Sequence, residues 1–312
     1  MEYIRGLESY CSSGETAVTL GKFDGLHRGH QKLIRQVQRL KAKYHVRSVV
    51  FAFDMLPLFE KLELPREGIM SNEERRRRLE GQVDVLLECP FTEEISSMEA
   101  ERFIEEVLCG IFHAKYVVVG TDFRFGHNKR GDAKMLAKYA KQYGYELFVE
   151  EKEMYGLREI SSTYIKEELR KGNMETVRHL LGYPYTVNGT VEYGKQLGRR
   201  LGFPTINVHP AKEKLLPPKG VYIDSVKIDG IWYNGIGNLG VKPTVTEERR
   251  LLIESYLFDY EGNAYGKDVE IQLFEFRRPE QKFDSVECMK AQIDSDIAFG
   301  KEYFRYKRRG EE

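Results

Sequence analysis

Gly21-Lys22-Phe23-Asp24-Gly25-Leu26-His27-Arg28-Gly29-His30 follows a short apolar run, Ala17 to Leu20, and precedes a helical stretch from about His30 to Tyr44. Its glycines let the backbone turn tightly and let a ligand approach closely. His27 and His30 share one side of a helix start. A helix N-terminus offers free N–H groups and positive dipole to a triphosphate. Imidazoles placed there can donate to charge developing on a phosphorus under attack. Spacing alone leaves open a helix cap with two surface histidines and a zinc site, although no third zinc ligand is evident. Far downstream, Ile160-Ser161-Ser162-Thr163-Tyr164-Ile165-Lys166 groups three hydroxyls with a lysine ahead of a helix. That set can hold pyrophosphate, and it can equally be an ordinary N-cap.

A second constellation lies in the second half of the chain, Gly194-Lys195-Gln196-Leu197-Gly198-Arg199-Arg200-Leu201-Gly202-Phe203-Pro204-Thr205-Ile206-Asn207-Val208. Gly194, Gly198 and Gly202 make a pliable loop whose N–H groups can cradle phosphates, with Lys195 and Arg199 supplying charge. Thr205 and Asn207 alternate along an extended stretch and face the same way. A hydroxyl and an amide oxygen there suit hydrated magnesium on a nucleotide. The plain alternative is a glycine-rich hairpin with surface cations. Glu254 lies between Leu252 and Tyr256 on one strand face, in an apolar run. A carboxylate so placed tends to a raised pKa, which suits a general base. It can equally be a strand carboxylate paired with Arg249 or Arg250.

The elements that must position these groups change character along the chain. Strand-like runs at 17–20, 48–53, 83–87 and 116–119 alternate with helical stretches at 30–44, after the Ser71/Glu74 capping box, and at 98–108. Such βα alternation predicts a parallel sheet covered by helices. Two short helices follow, one over about 163–171 and one beginning at Asn173 as N-cap and ending at Gly182. The domain boundary is expected near 182–186, giving domains 1–183 and 184–312. Beyond it, strand-like runs at 185–191, 221–228, 231–235, 251–260 and 269–276 with glycine turns predict an antiparallel barrel. Val286, Met289, Ile293 and Ile297 predict a closing amphipathic helix.

Three motifs are set aside. Gly235 to Gly240 matches GxGxxG, but Pro243 and a β-rich context oppose the helix that a dinucleotide site needs. Gly189 to Lys195 begins like a Walker A loop, but Gln196 stands where Ser or Thr is required. Arg75 to Arg78 is flanked by Glu73, Glu74 and Glu80 within one helix and reads as a solvated face.

Composition narrows the classes. Lys+Arg and Asp+Glu are both 49, so the formal net charge is zero, which disfavours a general nucleic-acid binder. No apolar run approaches the roughly 18 residues of a membrane span, and the N-terminus reads as no signal peptide. Cys11, Cys89, Cys109 and Cys288 form no CxxC, so reduced thiols in the cytoplasm are expected.

The early HxGH and late ISSTxxK motifs together resemble the HxGH nucleotidyltransferase superfamily. With Val119-Gly120-Thr121-Asp122-Phe123-Arg124-Phe125-Gly126 and Gly131-Asp132, residues 15–183 resemble the FMN adenylyltransferase module of prokaryotic bifunctional FAD synthetases. Three features depart from that pattern: Phe51 to Pro57 lacks the usual Thr-Phe and Pro-His-Pro features, Thr121 replaces an acidic residue, and Lys166 replaces arginine. The 194–208 segment resembles the GxxxGRxxGFPTAN signature of riboflavin kinases, with Ile206 in place of alanine. Gly220-Val221-Tyr222, Asn238-Leu239-Gly240-Val241-Lys242-Pro243-Thr244 and Ile253-Glu254-Ser255-Tyr256-Leu257-Phe258-Asp259 extend that resemblance over about 185–305.

The resemblance implies a Rossmann-like α/β nucleotidyltransferase domain followed by a small antiparallel β-barrel kinase domain with a C-terminal helix. It implies phosphorylation of riboflavin to FMN and adenylylation of FMN to FAD, with ATP, Mg2+ and the flavins as small-molecule ligands and no nucleic-acid or membrane partner. His27, His30 and Glu254 would be catalytic. Gly21, Phe23, Asp24, Gly25, Ser161, Ser162, Thr163, Lys166, Gly194, Lys195, Gly198, Arg199 and Gly202 would meet ATP or its phosphates. Asp122, Phe123, Arg124, Asn238 and Thr244 would meet flavin, and Thr205 and Asn207 would hold the metal. The alternatives are a kinase whose first domain has lost adenylylation and a flavin-sensing protein without turnover.

Overall fold

A computed structural model describes residues 1–194, 198, 202–243 and 249–310, with side chains at all of these except 242–243, 249–250 and 307–310. By its contacts the chain divides into two compact units, Met1–Ser162 and Thr163–Glu312.

The first unit runs β1 (Glu2–Arg5), β2 (Thr16–Gly21), α1 (Arg28–Tyr44), β3 (Arg47–Asp54), α2 (Leu56–Lys61), α3 (Asn72–Leu79), β4 (Val85–Pro90) and α4 (Glu93–Ser97). Then come α5 (Ala100–Arg102), which continues as a π-helical stretch over Phe103–Ile111, β5 (Ala114–Gly120), β6 (Arg124–Phe125), β7 (Gly131–Asp132), α6 (Ala133–Tyr143), β8 (Glu146–Glu150), β9 (Met154–Tyr155) and β10 (Arg158–Glu159). Six strands form a parallel sheet in the order β1-β4-β3-β2-β5-β8. β2 and β3 are buried at successive residues because helices cover both faces of the sheet. One face packs Val18, Leu20, Val49 and Phe51 against Phe103 and Phe112. The other packs Ala17, Val50 and Val118 against Leu33, Ile34 and Val37 of α1. Each such side chain contributes about 1.5–3 kcal/mol. An exposed pair such as Lys41–Asp84 contributes about 0–1, so the apolar layers hold the unit.

The chain leaves β2 in one direction across the sheet and later resumes at β5 on its other side. The adjoining carboxyl ends of β2 and β5 are therefore a topological switch point, where a crevice opens in open α/β sheets.

The second unit continues α7 (Ser162–Lys171), whose first residue closes the first unit, and adds α8 (Met174–Leu181), β11 (Tyr185–Glu192), β12 (Thr205–Val208), β13 (Gly220–Ile228), β14 (Ile231–Pro243), β15 (Arg249–Leu257), β16 (Asp268–Pro279) and α9 (Val286–Gly310). The strands close a barrel in the order β11-β12-β15-β14-β13-β16. α9 lays Ile297, Phe299, Tyr303 and Phe304 on Ile223, Ile236 and Phe274 of the barrel's outer face. Residues 235–240 lie within β14, which runs well past the expected end at 235. Asn173 precedes α8 as expected, but its amide donates to Glu168 Oε2 at 2.6 Å instead of capping the helix. Among the described residues no helix is long and apolar enough to cross a membrane.

Asp224 is fully buried on β13, and neither of its oxygens meets a donor at bonding geometry among the described residues. Burial pushes its carboxyl up to about 7, with the Ser255 hydroxyl pulling the other way. A carboxyl raised above its unfolded value of about 3.9 costs stability as it ionises, so this contribution worsens from about pH 4 to pH 7 and then levels. Asp224→Asn should remove that fall and raise stability at about pH 8 by up to roughly 4 kcal/mol. Urea unfolding at acid and alkaline pH checks it; a variant with the parent's pH dependence would refute a neutral buried acid.

Candidate active sites

The first site is built on the loop from β2 to α1. Phe23 (φ 49°), Gly25 (φ 83°) and Leu26 (φ 38°) lie in the left-handed region. For the two L-residues this costs about 1–2 kcal/mol each. Their side chains are buried at 0% and 2% exposure, which offsets that strain. At Gly25 a Cβ would lie 2.9 Å from Ile69, so the loop closes there only without a side chain. Polar bonds hold the same shape. Asp24 Oδ1 accepts from Ile69 N at 2.7 Å, Ser162 Oγ donates to the Asp24 carbonyl at 2.9 Å, and Gln31 Nε2 donates to the Leu26 carbonyl at 2.9 Å.

The loop delivers His27 and His30 together. His27 caps α1, its Nδ1 accepting from His30 N at 3.4 Å, and the two rings stack at 3.6 Å. The Phe23 ring lies 5.1 Å from that of His30. Burial lowers the His27 imidazole to about 4, against the opposing pull of Asp24 and Asp122. Burial, then His27, then the Arg75 cation hold His30 well below the ordinary value. Both rings are therefore neutral near pH 7, each with one N–H to donate. The buried His30 Nδ1 has no protein partner among the described residues.

Across the switch point, the turn after β5 carries Asp122, Phe123 and Arg124. Phe123 N closes the turn on the Gly120 carbonyl at 3.1 Å, and the Phe123 ring stacks on Phe125. The exposed Asp122 carboxylate pairs with Lys152 at 3.1 Å, and Arg124 points its guanidinium at the Phe123 carbonyl. Ser161 and Ser162 end this unit beside the 21–30 loop, through the Ser162–Asp24 bond. Thr163 and Lys166 follow on α7, in the second compact unit.

The second site is a row across one barrel face. Register pairs Asn207 of β12 and Asn238 of β14 with Glu254 of β15, and Thr205 with Tyr256. Directly paired residues point to the same side of a sheet, so Asn238, Glu254 and Asn207 stand abreast with Thr205 two residues from Asn207. Asn207 is 6% exposed, and its Oδ1 is buried without a hydrogen-bond partner among the described residues. An orphaned amide oxygen beside a hydroxyl fits a cation on phosphate. Gly194 crosses so close that a Cβ there would lie 2.6 Å from Asn207 Nδ2. Phe203 N donates to the Gly198 carbonyl at 2.8 Å, folding the loop back toward β12, and Gly202 lies between them. Lys195, Arg199 and Thr244 lie outside the described residues.

Two participants were missed by sequence reasoning. Glu280 accepts from Asn238 Nδ2 at 3.3 Å at the end of the row, and nothing in its sequence context signals this. Arg75, read as part of a solvated run, is buried and donates to the Lys22 carbonyl at 3.1 Å.

The FAD synthetase family model matches residues 11–164 and the riboflavin kinase family model matches residues 181–304. A bifunctional riboflavin kinase/FMN adenylyltransferase of Listeria monocytogenes is 33% identical over 284 residues, covering 89% of each chain. One of Escherichia coli K12 is 33% identical over 311 residues, covering 97% of this chain and 98% of its own. A crystal structure described as a macrolide-efflux protein from Streptococcus pneumoniae is 28% identical, with a TM-score of 0.84 over 95% of this chain and 97% of that one. With an HxGH loop at a sheet switch point, a barrel-face carboxylate row and relatives matching over nearly the whole length, the chain belongs to the bifunctional riboflavin kinase/FMN adenylyltransferase family.

Proposed function

We propose that the two sites perform consecutive steps, with residues 1–183 as the adenylyltransferase domain and 184–312 as the kinase domain. In the kinase step Glu254 accepts the proton of the riboflavin 5′-hydroxyl as its oxygen attacks the γ-phosphorus of ATP. The bond to the β-phosphate oxygen breaks and ADP leaves. Thr205 and Asn207 would hold Mg2+, which when bound neutralises phosphate charge. The loop from Gly194 to Gly202, with Lys195 and Arg199, covers the ADP phosphates, and Asn238 and Thr244 meet the flavin. The row Asn238–Glu254–Asn207 carries this reading, because phosphoryl transfer needs positioning and charge stabilisation above all.

In the second step an FMN phosphate oxygen attacks the α-phosphorus of a second ATP. One P–O bond forms, the bond to the β-phosphate oxygen breaks, and pyrophosphate leaves. No protein nucleophile is needed. Neutral His27 and His30 donate N–H groups to the charge on the reacting phosphate, which a buried site makes stronger than water would. Gly21, Phe23, Asp24 and Gly25 shape the ATP side, and Ser161, Ser162, Thr163 and Lys166 hold pyrophosphate. Asp122, Phe123 and Arg124 meet the flavin. We place the enzyme in the cytoplasm, which its four free cysteines support.

Glu254→Gln should lower riboflavin phosphorylation by about 10²–10⁴-fold and leave FMN-to-FAD conversion intact, while His30→Asn does the reverse. Chromatography of riboflavin, FMN and FAD over time reads both. Loss of both activities in a folded Glu254→Gln protein contradicts separate sites. FMN that accumulates in the parent without FAD or pyrophosphate contradicts the second step.

The depressed His27 pKa makes a stability prediction of opposite sign to that of Asp224. Below its unfolded pKa of about 6.5 the unfolded chain takes the proton and the folded chain does not. The first unit should therefore lose stability as pH falls from about 6.5 to 4, by on the order of 3 kcal/mol from this group. His27→Asn should flatten that slope in denaturant titrations; an unchanged slope would show that the ring is charged in the folded state.

A further inference from the structure

Arg75 begins a run of four arginines on α3, yet its environment differs from that of its neighbours. Arg76 and Arg77 pair with Glu73 at the surface. Arg75 is 4% exposed. Its Nε donates to Glu88 Oε1 at 2.8 Å, its Nη2 also bonds that oxygen, and Nη2 donates to Asn72 Oδ1 at 2.7 Å. Glu88, 1% exposed within β4, accepts the Tyr3 hydroxyl of β1 on its other oxygen at 2.7 Å. The remaining arm of the fork, Nη1, reaches the Lys22 carbonyl at 3.1 Å.

A buried Arg–Glu pair is seldom a net source of stability, since desolvating both charges offsets their attraction. A planar fork is suited to geometry instead, because it fixes several acceptors in one plane. Here one acceptor, Lys22, opens the segment in which Phe23, Gly25 and Leu26 have positive φ. Such a segment keeps its shape only where its surroundings over-determine it. The carbonyl it holds lies one residue before Phe23, whose ring is 5.1 Å from that of His30.

We propose that Arg75, oriented by Glu88 and Tyr3, is a positioning residue of the adenylyl-transfer site, clamping the Lys22 carbonyl. The clamp sets where the loop delivers the two imidazoles. This rests on the reading of His27 and His30 given above.

The test uses the full chain with the uncharged pair Arg75→Met/Glu88→Gln, in which the new amide oxygen still accepts from Tyr3. Folding is followed by thermal melting, and riboflavin phosphorylation is the control on the same chain. FAD formation should fall about 10- to 100-fold in kcat, with KM for ATP and FMN changed little. Arg75→Lys keeps the cation but cannot span Glu88 and Lys22 together, so its kcat for FAD formation falls as well. Should the uncharged pair fail to fold, Arg75→Lys decides alone. A folded variant whose FAD formation stays within about twofold of the parent, or one whose riboflavin phosphorylation falls equally, overturns the proposal. Parent-like FAD synthesis by His30→Asn overturns the underlying reading instead.

Discussion

One buried and one half-buried imidazole, both held uncharged at the end of a parallel sheet, are the constraint on which the first half of the molecule depends. Burial penalises the imidazolium, so the pair offers N–H donors whose geometry is set before substrate arrives. That requires a loop of unfavourable backbone conformation, and the loop is held by everything around it. Apolar burial of Phe23 and Leu26, the space denied to a side chain at Gly25, and bonds from Ile69, Ser162 and Arg75 all act on the same few residues. The sheet supplies the place, because its strand order opens a crevice between β2 and β5.

The second half solves a related problem by different means. Register across three strands of a closed barrel sets Asn238, Glu254 and Asn207 abreast without any strained backbone. A barrel has no free edges, so this register cannot slip without moving every side chain to the other face. The closing helix covers a neighbouring part of the outer face. Each unit thus has its own way of fixing its candidate groups, one by a clamped loop and one by strand pairing.

The placement of the candidate groups was legible in the sequence because it depends on local spacing. His27 and His30 at a helix start, and Thr205 and Asn207 two apart on a strand, occupy the faces that periodicity predicts. The βα alternation and the glycine-punctuated strands gave the two architectures for the same reason. What depends on distant partners was not legible. Arg75 looks like Arg76 to Arg78 in sequence, and only Glu88, Tyr3 and Lys22 distinguish it. β1 has no apolar run to announce it, being an edge strand paired only with β4. Asn173 sits where a cap belongs, but Glu168 takes its amide.

The central claim is that both histidines stay neutral in the folded protein. Nitrogen-15 NMR of the imidazole rings during an acid titration tests it most directly. The account predicts a midpoint near about pH 4 for His27 and one well below the ordinary value for His30. A midpoint for either ring near about 6.5, the value of a histidine in water, would contradict it.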